Sequence, residues 1–270
     1  MTGFFGKIPT KGDFVSRNLT SSASQKLLSF FTDGMKTARS KMDDSWTEHY
    51  STAPIWYFYL SPGVIGEQAY LGAWMVSVDN VNRQFPFIAL SKLATPPDTL
   101  ADIGLYTEWL LQLEHFMLDL LEPDMDTDES LNAIHKFELS TNADPRLSID
   151  SLLEGTGEQD SVQYSHFEQA VLKKLERLEQ SVQTIELFIT KVSDTENETK
   201  EKTATIDALS FDINLAEYSS QFSEFILPTH TQHSVWLTQG SNLVPESVVI
   251  YKALPPPENF FKFVGGAPHA

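Results

Sequence analysis

Apolar residues recur at steps of three and four through Leu27, Leu28, Phe31, Met35 and Ala38, the spacing of one helical face, and Ser21 or Ser22 stands where a hydroxyl would cap its start. A second such series, Leu105, Trp109, Leu110, Leu113, Phe116, Met117, Leu120 and Leu121, predicts a helix from Ile103 to Leu121 with one broad apolar face. A third, from Phe167 to Ile189, carries Val171, Leu172, Leu175, Leu178, Val182 and Ile185 inward and its charges outward. Between the first two the pattern changes. Ile55 to Leu60 (IWYFYL), Ala69 to Val78 and Phe85 to Leu90 are β-branched and aromatic runs that read as strands. Two more strands follow near the end, Ser234 to Thr238 and Ser247 to Tyr251, and then a short apolar helix near Phe260 to Phe263.

Turn chemistry punctuates these elements. Ser61-Pro62-Gly63 ends the first strand, and Pro96-Pro97 precedes the second helix. The polar stretch Asp79 to Arg83 joins two strands, with asparagines that tolerate a left-handed backbone. Glu122 to Glu129 holds five acids and no base, Asp144-Pro145 marks a further break, and Asp194 to Lys202 reads as a solvated loop. Strands on either side of a helical middle predict one sheet fed by both ends of the chain and covered by helices, a layered α/β arrangement. The 270 residues are read as a single domain: 1–93, a helical middle at 94–205, strands completing it at 206–264, and a frayed tail at 265–270.

Composition narrows the partners. Hydrophobic residues make up 41% of the chain, enough for a substantial core, and the net charge is −18, which opposes binding to nucleic acid or anionic lipid. There is no cysteine, so disulfides and thiolate metal sites are excluded. The first residues lack the features of a secretory signal, and no apolar run approaches the ~20 residues of a membrane span. The expected location is the cytoplasm.

Candidate chemistry is sparse. The closest histidines, His230 and His233, have no third ligand nearby, and read as surface or strand-end residues. Asp124, Asp126 and Asp128 imitate the start of a calcium loop, but Glu129 occupies the glycine position and His135 the twelfth. Gly6 to Gly12 resembles a phosphate loop, yet Asp13 stands where the lysine should be. There is no nucleophile elbow and no dinucleotide fingerprint. No catalytic, cofactor or metal site is therefore expected, and the protein is read as a non-enzyme.

Two polar stretches remain, Lys7 to Arg17 and Ser77 to Arg83. The first is a basic island, with Lys7, Lys11 and Arg17 against Asp13 alone. Asp79 and Arg83 are spaced to pair across a turn, and Asp13 and Arg17 to do the same. If the fold joins the stretches, their charges and Phe4, Phe5, Phe14 and Phe85 form a mixed patch suited to a partner surface.

GFFGKIPTKGDFVSRNL from Gly3 to Leu19, Asp44-Ser-Trp46, Ala53 to Trp56 and SVDNVNRQFPF from Ser77 to Phe87 together resemble the type VI secretion-associated TagF family, also called ImpM. The likeness continues more weakly through Ser234 to Trp236, Gly240 and Leu254-Pro255, and is strongest over 1–93. It implies a three-layer αβα sandwich with a mixed central sheet. It also implies a cytoplasmic post-translational regulator, typically a repressor, that acts without catalysis through the system's forkhead-associated scaffold protein. The residues matching the family's motifs are Gly6, Lys7, Pro9, Gly12, Asp13, Phe14, Ser77, Asp79, Arg83, Phe85 and Pro86; Lys11 and Arg17 join them as candidate partner contacts. Val76 stands where a proline is usual, and Asn82 where a glycine is. Two alternatives remain: a structural subunit of the apparatus, and a hydrolase or phosphate-handling enzyme using Asp13, Arg17, Ser77, Asp79 and Arg83.

Overall fold

A computed structural model describes residues 1–122, 126–134, 137–142, 227 and 231–265. They belong to one compact unit formed by Met1–Gly155 and Leu209–Ala270. The helix expected from Phe167 to Ile189 lies outside the described residues.

The strands are β1 (Thr2–Gly6), β2 (Val15–Arg17), β3 (Trp56–Leu60), β4 (Ala69–Met75), β5 (Phe87–Leu93), β6 (His233–Thr238) and β7 (Ser247–Lys252). They form one sheet in the order β2-β1-β5-β4-β3-β6-β7. Every pairing is antiparallel, which corrects the expected mixed sheet. The reason is connectivity: β3, β4 and β5 form a meander, and β1 and β6 are added to its two sides in the opposite sense to their neighbours.

Each strand of the central sheet is apolar on both faces. Trp56, Phe58, Tyr70, Trp74, Ile88, Leu90 and Trp236 point to one core, while Tyr57, Tyr59, Leu71, Ala73, Phe87, Ala89, Val235 and Leu237 point to the other. The alternation between two buried faces explains why the strands read as unbroken apolar runs. The first core is closed by α1 (Ser21–Met42), α2 (Trp46–Ser51) and the C-terminal α6 (Phe260–Phe263). The second is closed by α3 (Leu100–Gly104), α4 (Thr107–Asp119) and α5 (Thr127–Ala133). Burying each large ring contributes roughly 1.5–3 kcal/mol before entropy is counted. No described helix is long and apolar enough to cross a membrane.

Three local expectations change. The cap of α1 is Thr20, whose hydroxyl accepts from the Ala23 amide, and not Ser21 or Ser22, which begin the helix itself. The helix expected from Ile103 to Leu121 is broken at Leu105-Tyr106 into α3 and α4. Asn142 fills the break: its side chain donates to the Gly104 carbonyl at 2.8 Å and accepts from the Glu108 amide at 2.9 Å, so one distant residue caps both helix ends. The basic island is not merely a polar segment, since it follows directly on β1 and ends in edge strand β2.

Helix α1 approaches α6 through Gly34. A Cβ built there would lie 2.5 Å from Cδ2 and 2.9 Å from Cβ of Phe260, a buried ring with no room to withdraw. Gly34→Ala is therefore expected to destabilise the fold by about 1 kcal/mol, because overpacking of about 1–3 kcal/mol is offset by the ~1 kcal/mol gained in helix propensity. The urea unfolding midpoint measures the difference, and an unchanged or raised midpoint would contradict this packing.

Candidate functional site

The two polar stretches meet at the end of the sheet formed by β1 and β5. Chain reversal after β1 is set by the turn Ile8 to Lys11, in which Pro9 fixes the first central φ and the Lys11 amide donates to the Ile8 carbonyl at 3.1 Å. Gly6 brings β1 against the second stretch: its φ is 143°, and an added Cβ would lie 2.2 Å from the carbonyl oxygen of buried Pro86. The second stretch folds back on itself through the Asp79 amide and the Arg83 carbonyl, 3.2 Å apart. Asn82 takes a left-handed φ of 63° at the reversal, so it serves where a glycine is usual.

Asp79 is the centre. Its side chain is fully buried, and four donors reach its two oxygens. The amides of Val81 and Arg83 donate to Oδ1 at 3.1 and 2.8 Å, while Lys7 Nζ and Arg83 Nε donate to Oδ2 at 2.8 and 2.6 Å. A carboxylate offers about four lone-pair sites, so its capacity is filled. Burial alone would raise the pKa of Asp79, but the hydrogen bonds from Lys7, Arg83 and Val81 together hold it well below the usual carboxylate range. Such a group stays ionised near neutral pH and has no spare lone pair for general-base work.

The same loop is tied to the island by further bonds. The Arg83 guanidinium donates to the Gly12 carbonyl at 2.6 Å, and the Asn80 amide to the Lys11 carbonyl at 3.0 Å. Beneath them, buried Ser77 accepts from the Tyr50 hydroxyl at 2.8 Å and returns its amide to that oxygen at 3.2 Å. Phe5, Phe14 and Phe85 form an aromatic cluster, with centroids 4.7 Å apart for Phe14 and Phe85, and Lys7 Nζ lies 5.3 Å from the Phe14 ring. Phe14 is nonetheless 44% exposed. Phe4 does not join them, because alternation along β1 turns it to the opposite core against Phe87.

Asp13 and Arg17 do not pair. Asp13 is exposed, with no hydrogen bond or ion pair among the described residues. Arg17 donates instead to Asn132 Oδ1 at 2.6 Å and the Leu131 carbonyl on α5. Lys11 meets Asp128 at 2.7 Å, and the Thr10 and Thr127 hydroxyls lie 2.8 Å apart. The basic island is thus clasped by α5 from the acidic stretch. Asp126 caps α5 through the Glu129 amide and Asp128 lies in its first turn, so the end of the stretch expected to be an acidic loop is helical; Asp124 lies outside the described residues. His230 also lies outside them, while His233 is the strand-end residue expected, opening β6, and is buried there. Among the described residues no group of three His, Asp or Glu side chains could hold a metal ion.

Beside the Asp79 loop runs a groove of about 1000 Å³ between α1 and Asn82 to Phe85. Gln84 anchors its wall: Oε1 accepts from Arg39 and from Trp46 Nε1, each at 2.7 Å, and the Arg39 guanidinium lies 5.5 Å from the Trp46 ring. Sequence reading marked Trp46 and Gln84 through their motifs but not their contacts, and it missed Arg39 and Tyr50. Each acts across tens of residues, so no local spacing announces it.

Fold and site define an antiparallel α/β protein whose N-terminal strand is locked to an ion-paired loop, with aromatic rings at its surface. Residues 3–137 match the model of the TagF N-terminal domain, described as type VI secretion system-associated, and the chain belongs to the TagF family. It is therefore a type VI secretion-associated protein. Among solved structures it is similar to the crystal structure of PA0076 from Pseudomonas aeruginosa PAO1, with a TM-score of 0.61, 21% identity, and coverage of 100% of this chain and 96% of that one. That likeness concerns the fold. No curated protein matches the chain.

Asp79→Asn is expected to lower the thermal midpoint at neutral pH. The folded state lowers the pKa of Asp79, so its stabilisation is complete above the unfolded value of about 4 and is lost as pH falls toward the lower folded value. The gap between wild type and variant should be constant from neutral to mildly acidic pH and shrink below about pH 4. Melting curves across that range measure it, and a gap that persists unchanged in strong acid would contradict the assignment.

Proposed function

We propose that this protein is a non-catalytic, cytoplasmic regulator of type VI secretion, a repressor that binds the system's forkhead-associated scaffold. The observation that carries the non-catalytic part is the filled coordination of Asp79, which commits the central carboxylate to holding the loop in shape. Ser77 points the same way, since its backbone is engaged by Tyr50 and Phe85 while, among the described residues, its hydroxyl reaches only the neighbouring Val78 carbonyl, at 3.5 Å. Membership of the TagF family supplies the link to secretion. A rigid loop with Val81 63% exposed at its tip and Phe14 nearby on the linked turn supports binding to a protein surface, where ordered aromatic anchors contribute most.

Deleting the gene in its native host is expected to raise secretion of the system's effectors, and affinity purification of the chain is expected to recover the scaffold. Abolished secretion on deletion would identify a structural subunit instead. Turnover of a phosphate ester or other substrate, lost in a Ser77→Ala variant, would overturn the non-catalytic reading.

A further inference from the structure

We propose that the groove between α1 and Asn82 to Phe85 is a docking site for an acidic peptide segment of the protein partner. Three cations line it, Lys36, Arg39 and Arg83, against one acid, Asp43, in a chain whose net charge is −18. No ion pair among the described residues joins Asp43 to any of them. Their donors are largely unspent. Lys36 is exposed, and its ammonium group makes no hydrogen bond or ion pair among the described residues. Arg39 uses one terminal nitrogen on Gln84, and Arg83 uses Nε on Asp79 and one terminal nitrogen on Gly12, so each guanidinium keeps N–H groups for a further acceptor.

The two arginines are also held in place before any ligand arrives. Arg39 lies over Trp46 and is tied to a glutamine that Trp46 itself fixes, while Arg83 is anchored by the buried Asp79 carboxylate. Preorganised guanidinium groups lose little conformational freedom on meeting carboxylates, which they bind in bidentate fashion. Charge complementarity selects the occupant. A short run of Asp and Glu satisfies three local cations, whereas a long polyphosphate would extend over the acidic remainder of the surface and be repelled. The identity of the partner rests on the regulatory reading above; the chemistry of the groove does not.

The probe is fluorescein-labelled hexaglutamate, with hexaglutamine as control, followed by fluorescence anisotropy at low ionic strength. Hexaglutamate should bind, weaken with added salt, and bind Lys36→Glu on the order of tenfold less well, while Lys92→Glu, the same charge change at an exposed position on β5, should bind as wild type does. No binding, equal loss in both variants, or equal competition by an oligothymidylate would overturn the proposal. Capture of the scaffold from the host by both variants then separates the two readings. Loss of capture in Lys36→Glu alone supports both. Equal capture by wild type and Lys36→Glu overturns the groove as the docking site and leaves the regulatory reading standing. No capture by wild type, with Lys36-dependent hexaglutamate binding intact, overturns the scaffold as partner and leaves the acidic-peptide site standing.

Discussion

A buried carboxylate has to be matched donor for donor, and that requirement organises the N-terminal half of this protein. Asp79 takes its donors from its own loop and from Lys7 on the N-terminal segment, so the loop is closed only when β1 lies in register beside β5. An unpaired charge at that depth would cost far more than any single surface contact contributes. The constraint runs in both directions. Gly6 must leave space for the Pro86 carbonyl, and Arg83 must reach Gly12, or the carboxylate loses part of its shell. The conformation of a surface loop is therefore specified from inside.

Charge is distributed around that centre in a way that composition conceals. The island that looks free in sequence is largely spent: Lys7 on Asp79, Lys11 on Asp128, Arg17 on Asn132. The acidic stretch supplies the clasp, through a short helix whose first turn carries Asp128 and Glu129. Cations with unspent donors stand elsewhere, on α1 and on the outer side of the loop. Local pairing with Asp79, Asp128 and Asn132 thus spends the island, while Lys36 and Arg39 keep donors in the groove.

The extent to which the sequence disclosed this depends on the range of each interaction. Strands β3 to β7 were legible because both faces of the sheet are covered, giving dense apolar runs with β-branched and aromatic residues; their ends shift by only a few residues. The Asp79–Arg83 pair was legible because it is local. Strands β1 and β2 were not, since β1 has glycine at its second and last positions and β2 is only three residues long. The split between α3 and α4 was hidden because Leu105 and Tyr106 keep the apolar spacing, and the residue that makes the break stable, Asn142, lies far along the chain. Arg17 shows the same limit: spacing pointed to Asp13, but Asp13 sits in the bend before β2 and the two share no helical turn, whereas α5 brings Asn132 within reach. Candidate residues could be named from motifs, while their partners could not.

Rigidity then links the structure to a binding role. Tyr50, Trp46 and Gln84 connect α1 and α2 to the backbone beneath the loop, so the groove wall and the loop share supports. A partner meeting Phe14, which packs on Phe85, and Arg39, which lines the same groove as Phe85, would encounter groups whose positions are already fixed by buried contacts. Affinity at such a surface depends less on its area than on the entropy it avoids losing. The buried carboxylate contributes to binding without touching the partner, by holding Arg83 and the loop tip in the conformation they must present.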